Sequence, residues 1–350
     1  MASMTFRAGV ALLSLCWLTT AAAQSPAADP DVDRVQQQQN RQEIQPLNNA
    51  PVWREIRSGQ AQTTQVRGRE TNVLIQSEGE TWRAFRVPMA TGGGILLGVV
   101  LLGLMGFYLW RGPIEVSGTL TGRKIERFTP VKRIAHWSVA ISFVLLAVSG
   151  LILTFGKWAL LPVVGYTLFA WLAIFAKYVH NFVGPVFSIV LPVLILLFIK
   201  DNIPRSYDWT WIKKFGGMLD RSGRTHVPAG KFNAGEKALF WAMVVVLSLV
   251  LVVSGYVLNF PNFDQTRQTM QWANVIHSVA AMLTIAMAFF HIYLGTIGMR
   301  GAYDAMRHGY VDETWAKEHH EYWYNDVMSG KEPGATPQLH SPPAVSHRPA

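Results

Sequence analysis

Apolar residues gather in five long runs, at about residues 92–110, 134–155, 178–199, 238–260 and 271–298, and no Asp, Glu, Lys or Arg occurs inside any of them. Each run has roughly the 20 residues a helix needs to cross a bilayer, so the pattern predicts five transmembrane helices. A further apolar stretch, Ala159 to Ala176, complicates the count. As a span it would leave only Lys177 to Asn181 to turn the chain and would export the basic loop at 200–237. Read as a helix lying in the interface, with Trp158, Tyr166 and Trp171 at headgroup level, it leaves the five-span count intact.

The part before the first run has a different texture. Arg7, the apolar stretch Val10 to Leu18 and the small residues Ala21-Ala22-Ala23 before Gln24 have the anatomy of a secretory signal peptide, residues 1–23. Residues 24–50, rich in Gln, Asn, Pro and Asp, read as an exported polar tail. Val52 to Arg57 reads as one or two helical turns. Asn72 to Gln76, Ser77 to Glu80 and Thr81 to Val87 read as strand, turn and strand, a small periplasmic hairpin within a segment spanning 24–90.

Half of the residues are apolar and 15% are charged, the balance of a polytopic membrane protein. The formal charge of +9 does not indicate nucleic acid, because the cations lie beside the apolar runs. Arg123, Lys124, Arg127, Lys132 and Arg133 fill the first inter-helix loop, and Arg205, Lys213, Lys214, Arg221, Arg224, Lys231 and Lys237 fill the third. The alternate loops hold only Lys157, Lys177 and Arg267. By the positive-inside rule the basic loops are cytoplasmic, which puts the mature N-terminus in the periplasm and the C-terminus in the cytoplasm of a bacterial inner membrane.

Signal cleavage after Ala23 would remove Cys16, the sole cysteine; Leu15 before it disfavours lipidation of that residue. Without cysteine there are no disulfides, no thiolate-held iron–sulfur clusters and no thioether-linked haem. The candidate chemistry is therefore histidine chemistry. Four histidines lie inside the spans: His136, His180, His277 and His291. His277 and His291 share one run, and fourteen residues at 1.5 Å rise separate them by about 21 Å on nearly the same helix face. With the stated orientation, His136 and His291 lie near the cytoplasmic side, and His180 and His277 near the periplasmic side. Depth alone pairs His136 with His291 and His180 with His277. Two imidazoles meeting from facing helices suit a b-type haem with both axial positions filled, which carries electrons rather than binding substrate. Ala140, Gly184, Ala281 and Gly295, one turn after each histidine, leave flat space beside the ligands. Lys132, Arg133 and Arg300 on one side, and Lys177 and Arg267 on the other, are candidate partners for propionates. Isolated core histidines and a histidine-based proton-coupled transporter are the competing readings. The first leaves the matched depths unexplained, and the second usually adds intramembrane carboxylates and broken-helix repeats.

The segments RIAHW, KYVHNFVGP, DNIP, KFNAGEKALFW, the His277 to His291 helix and WAKEHHEYWY together resemble the gamma subunit of respiratory formate dehydrogenase, its cytochrome b556 subunit. The likeness runs from about Pro51 to Met328 and includes NVLIQSEGETWR, a hairpin of longer family members. The resemblance implies an all-α membrane protein with a four-helix di-haem cytochrome b bundle at 112–299. To this the chain adds one N-terminal transmembrane helix at 91–111, the small hairpin and a cytoplasmic tail at 300–350, in which Trp315 to Tyr324 reads as a surface or partner-contacting helix. It also implies two b-type haems held by His136, His180, His277 and His291, and menaquinone or ubiquinone as electron acceptor. The implied partners are an iron–sulfur beta subunit and a molybdopterin alpha subunit with Mo or W, where formate itself reacts; no residue of this chain is assigned to formate chemistry. The cytochrome b of a nickel–iron hydrogenase shares the two-haem plan and is the alternative. Asn233, Gly235 and Glu236, where the chain re-enters the bilayer in KFNAGEK, are the candidate quinone residues: an amide for a carbonyl, a close-approaching backbone and a proton carrier. Asn233 as a helix cap and Glu236 as a first-turn acid are the structural alternatives.

Overall fold

The computed structural model describes residues 53–54, 57–59, 81–221, 225–263 and 265–332, and the backbone of 337–338. Contacts divide the chain into units of residues 1–80 and 81–350. In the first unit, helical residues at 53–54 and 57–58 fall at the expected Val52 to Arg57 turns. The signal peptide, the strand at Asn72 to Gln76 and the turn at Ser77 to Glu80 lie outside the described residues.

In the second unit the elements run α1 (Thr81–Arg111), β1 (Lys124–Glu126), α2 (Pro130–Ala159), α3 (Leu161–Phe198), α4 (Ser206–Lys213) and α5 (Ala234–Asn259). They continue with α6 (Arg267–Gly298), α7 (Ala302–Arg307), β2 (Tyr310–Asp312), α8 (Glu313–His319), α9 (Glu321–Met328) and β3 (Pro337–Gln338). Among the described residues α1, α2, α3, α5 and α6 are the five helices long and apolar enough to cross a membrane. The expected five spans are therefore present.

Two expectations about the boundaries of the long helices are corrected. Thr81 to Val87 is not a strand but the first turns of α1. Trp82, Met89, Ala90 and Leu97 recur at helical spacing and pack on Met282, Ile285 and Ala286 of α6. The Trp82 amide donates to Gln271 Oε1 at 2.7 Å, fixing where α1 starts against α6. Ala159 to Ala176 is not a separate interfacial helix. The chain breaks at Gly165, whose φ of 76° and ψ of 172° are non-helical, and from Tyr166 one uninterrupted helix runs through His180 to Phe198. The physical reason is that Lys177 to Asn181 contains no helix breaker, whereas glycine at 165 takes a positive φ without steric cost. Trp158, Tyr166 and Trp171 stay exposed on the outside of the α2–α3 hairpin.

Two wide-turned π segments interrupt the long helices, Phe240–Leu247 in α5 and Leu294–Gly298 at the end of α6. Such segments often accompany functional sites.

The end of the bundle that carries His136 and His291 is closed by a small folded cap. β1 pairs antiparallel with β2 and β3, with Ile125 opposite Val311 and Pro337. Ile125, Phe128, Phe198, Phe240, Trp315, Ala316, Trp323 and Val327 form one buried cluster. The segment expected as a surface or partner-contacting helix at Trp315 to Tyr324 is two short helices that bury Trp315, Ala316, Trp323 and Val327 and meet at His320, itself only 1% exposed. Trp315 and Trp323 supply enough apolar area to hold the segment against the bundle.

Candidate functional site

α2 starts with Thr129 as its cap and Pro130 in the first turn, and is tied to the end of α7 where Arg133 Nε and Trp137 Nε1 both donate to the Met306 carbonyl at 3.2 Å. One turn on, His136 faces His291 of α6, with ring centres 6.0 Å apart. At the other end of the bundle His180 of α3 faces His277 of α6, again 6.0 Å between ring centres. The structure thus brings together the two pairs that depth predicts.

The spacing can be tested against an iron between the rings. A metal–imidazole bond of about 2 Å on each side, with about 1.1 Å from the nitrogen to its ring centre, puts two ligating rings roughly 6 Å apart. Both pairs meet that condition. Among the described residues no group of three or more His, Cys, Asp or Glu could hold a metal ion, so each pair suits an iron that brings its own equatorial ligands, as haem does. A Cβ added at Gly184 or Gly295 would meet nothing within 4 Å, so the residue one turn after each of these histidines leaves room beside it.

The hydrogen bonds select the coordinating nitrogen. Ser149 of α2 donates its hydroxyl to the Leu145 carbonyl at 2.7 Å, so its oxygen is left to accept from His180 Nδ1 at 2.9 Å. Ser254 of α5 repeats this with the Val250 carbonyl at 2.6 Å and His277 Nδ1 at 3.0 Å. Each imidazole therefore carries its proton on Nδ1 and presents the Nε2 lone pair, the kind of hydrogen bond on the far nitrogen that orients metal-bound histidine. The next residues, Gly150 and Gly255, let the rings lie close: an added Cβ would sit 3.3 Å from His180 Cε1 and 3.4 Å from His277 Cε1. At the opposite end His136 Nδ1 is buried without a hydrogen-bond partner among the described residues.

Sequence reasoning missed these Ser-Gly pairs. The signal was present: α2 and α5 contribute no histidine at the His180 level, yet each carries a Ser-Gly dipeptide inside an apolar run. The candidate propionate partners separate into two groups. Lys132 pairs with Asp201 at 2.6 Å, Arg300 with Glu115 at 2.9 Å, and Arg133 donates to the Met306 and Arg307 carbonyls, whereas Lys177 and Arg267 are exposed at the other end.

Asn233, Gly235 and Glu236 come together at the start of α5. Asn233 Oδ1 accepts from the Glu236 amide at 2.9 Å and Glu236 Oε2 accepts from the Asn233 amide at 2.8 Å, a reciprocal capping box. Glu236 also pairs with the buried guanidinium of Arg127 at 3.2 Å. Gly235 lines an apolar groove with Ala238, Leu239, Ala242, Met287 and Phe290, beside His291, and Trp211 packs so close that a Cβ at 235 would lie 2.8 Å from its ring. Of the three, Gly235 borders the groove, while the other two side chains hold the helix start.

Residues 127–309 match the family model described as prokaryotic cytochrome b561. The formate dehydrogenase cytochrome b556 subunit of Escherichia coli K12 is 32% identical over 213 residues, covering 59% of this chain and 95% of the relative. The nitrate-inducible formate dehydrogenase cytochrome b556 subunit of the same organism is 29% identical over 217 residues, 59% of this chain and 92% of that one. The Haemophilus influenzae formate dehydrogenase cytochrome b556 subunit is 28% identical over 220 residues, 62% and 88%. All four histidines, with Ser149 and Ser254, lie inside the matched family region, and α1 lies outside it. The chain is a membrane b-type cytochrome that belongs to the prokaryotic cytochrome b561 family, together with the cytochrome b556 subunits of formate dehydrogenase.

Proposed function

We propose that this chain is the two-haem, quinone-reducing subunit of a respiratory formate dehydrogenase in the bacterial inner membrane. Its electrons come from an exported iron–sulfur subunit, fed by a molybdopterin subunit containing Mo or W, and leave to menaquinone or ubiquinone. The observation that carries this reading is the repeated imidazole pair: two facing histidines at 6.0 Å, twice, with His277 and His291 fourteen residues apart on one helix. Bound at these two levels, haem supplies one-electron transfer with no open coordination position.

The chain's own residues do the rest. Ser149 and Ser254 hold the outer imidazoles in the Nδ1–H tautomer, and α6 sets the separation of the two levels. The basic loops orient the His136 end toward the cytoplasm, with the mature N-terminus outside. Electrons entering at the His180 end and leaving at the His291 end cross most of the membrane, which is worth about 2.3 kcal/mol per charge per 100 mV. The apolar groove at Gly235 and Phe290 receives the quinone ring. The Asn233 amide nitrogen serves its carbonyl, and Glu236 serves its protons.

The purified complex is expected to contain two non-covalent b haems per chain, extractable into acidified organic solvent, both reduced by formate and reoxidised by quinone. One haem per chain, or haems that formate leaves oxidised, would refute the proposal.

A second expectation concerns the serines. An acceptor on Nδ1–H makes the imidazole a stronger donor to iron and favours the oxidised state, so Ser149→Ala or Ser254→Ala should raise one midpoint potential. A hydrogen bond of about 1 kcal/mol corresponds to about 40 mV for one electron. Redox titration should show that one component moves while the other stays. Unmoved potentials in both variants would remove the serines from the ligand shell.

A further inference from the structure

Among the described residues, the buried cap atoms without a hydrogen-bond partner include Arg127 Nε, His319 Nε2 and Trp323 Nε1. They belong to one cluster around Trp315. The Arg127 guanidinium carbon lies 5.2 Å from the Trp315 ring centre, and His319 and His320 lie 5.2 and 5.1 Å from it, with Trp323 6.4 Å beyond His320. Buried donors and acceptors are nearly always paired in native proteins, by water where protein offers nothing.

The cluster touches the groove at one end and the surface at the other. Arg127 Nη2 donates to the Lys231 carbonyl at 2.7 Å and to Glu236 at 3.2 Å, and Glu236 adjoins Gly235 in the groove wall. On the outer side the carboxylate of Glu318, the neighbour of His319, accepts from the amides of Ser117 and Gly118, both at 2.8 Å. Ser117 Oγ lies 3.5 Å from Nε2 of the exposed His226. Between the His226 surface and Glu236 the polar groups thus gather around Trp315, with His319 and Arg127 each about 5 Å from its ring centre and Glu236 bonded to Arg127.

We infer that His319 is the proton-entry residue for quinone reduction, passing protons from the cytoplasmic face through water held by His319 and Arg127 to Glu236. The inference rests on the reading that quinone is reduced at the Gly235 groove. The balance is simple. Formate oxidation in the partner subunit yields two electrons, quinone takes both together with two protons to form quinol, and each proton leaving Glu236 is replaced through His319 from the cytoplasm. Burial lowers the pKa of His319 to about 4, with Glu318 acting in the opposite direction and His226 and Arg127 reinforcing the drop. The neutral imidazole has one N–H and one lone pair, so it can accept at one nitrogen while donating at the other. Arg127 positions the Glu236 carboxylate and the water.

The test uses membranes containing the complete complex with His319→Ala and His319→Gln. Formate should reduce both haems at the original rate, whereas kcat for quinone falls at least about tenfold with KM unchanged, as removal of a proton-transfer group implies. The slowing in D2O should grow, and added imidazole should restore His319→Ala but not His319→Gln. Glutamine keeps the size and hydrogen bonding of the ring without relaying protons, so H319Q decides the matter if the Ala variant does not assemble. Original quinone turnover in H319Q overturns the inference, and so does a loss accompanied by slower haem reduction, a raised KM and no imidazole rescue. An unmodified complex that reduces its haems with formate but never reduces quinone overturns the underlying reading instead.

Discussion

His180→Ala or His277→Ala is expected to leave a protein with one b haem in place of two, and His136→Ala or His291→Ala to remove the other one. The geometry makes the pairing exclusive. His180 meets His277 and His136 meets His291, each at 6.0 Å between rings, while fourteen residues of α6 hold the two levels about 21 Å apart, so no surviving histidine can reach across to replace a lost ligand. Formate-to-quinone activity should disappear in all four variants, since each interrupts the single chain of carriers. Optical redox titration is the measurement: the two members of a pair must abolish the same spectral component. If His136→Ala and His180→Ala removed the same component, the pairing would be wrong.

The second large effect lies outside the histidines. Asp208 in α4 and Lys237 in α5 form an ion pair at 2.8 Å with side chains 9% and 5% exposed, and Lys237 also lies 5.0 Å from the Tyr207 ring centre. Asp208→Asn leaves the ammonium buried without its counter-ion, and removing one partner of such a pair costs about 3–5 kcal/mol. Because this pair pins α4 over the start of α5, the loss should appear as a lower midpoint for thermal loss of the haem spectrum and as less assembled protein. Asp208→Asn combined with Lys237→Met removes both charges and is expected to recover most of that stability. A midpoint in Asp208→Asn equal to that of the original protein would show that Lys237 reaches water.

The elements that sequence misassigned share a cause. Thr81 to Val87 alternates well enough to pass for a strand, but its neighbours in space are the apolar side chains of α6, and a helix buries Trp82 and Met89 against them together. The stretch 159–176 has interfacial aromatics, yet whether it lies flat or continues into the next span depends on where the backbone breaks, and that is Gly165 rather than the Lys177 to Asn181 junction. The segment Trp315 to Tyr324 is charged enough to read as surface. Its tryptophans find partners only because β1, from a loop nearly 200 positions earlier, pairs with β2 and builds the floor beneath them. Likewise Asn233 and Glu236 carry the right chemistry for a quinone, and only the folded chain shows the two engaged with each other and Glu236 also with Arg127.

What sequence alone determined is what depends on distance along an axis. Apolar runs of bilayer length set the five spans, and the 1.5 Å rise of a helix turns residue number into depth, so the level of each histidine and hence its partner follow from counting. What the tertiary structure decided is whatever depends on rotation and on contacts between distant segments. The tautomer of His180 is set by Ser149, 31 residues away, and that of His277 by Ser254, 23 residues away, each on a neighbouring helix. Hydropathy records how deep a side chain sits but carries no information about which neighbour it faces, because that direction is fixed only when the helices pack.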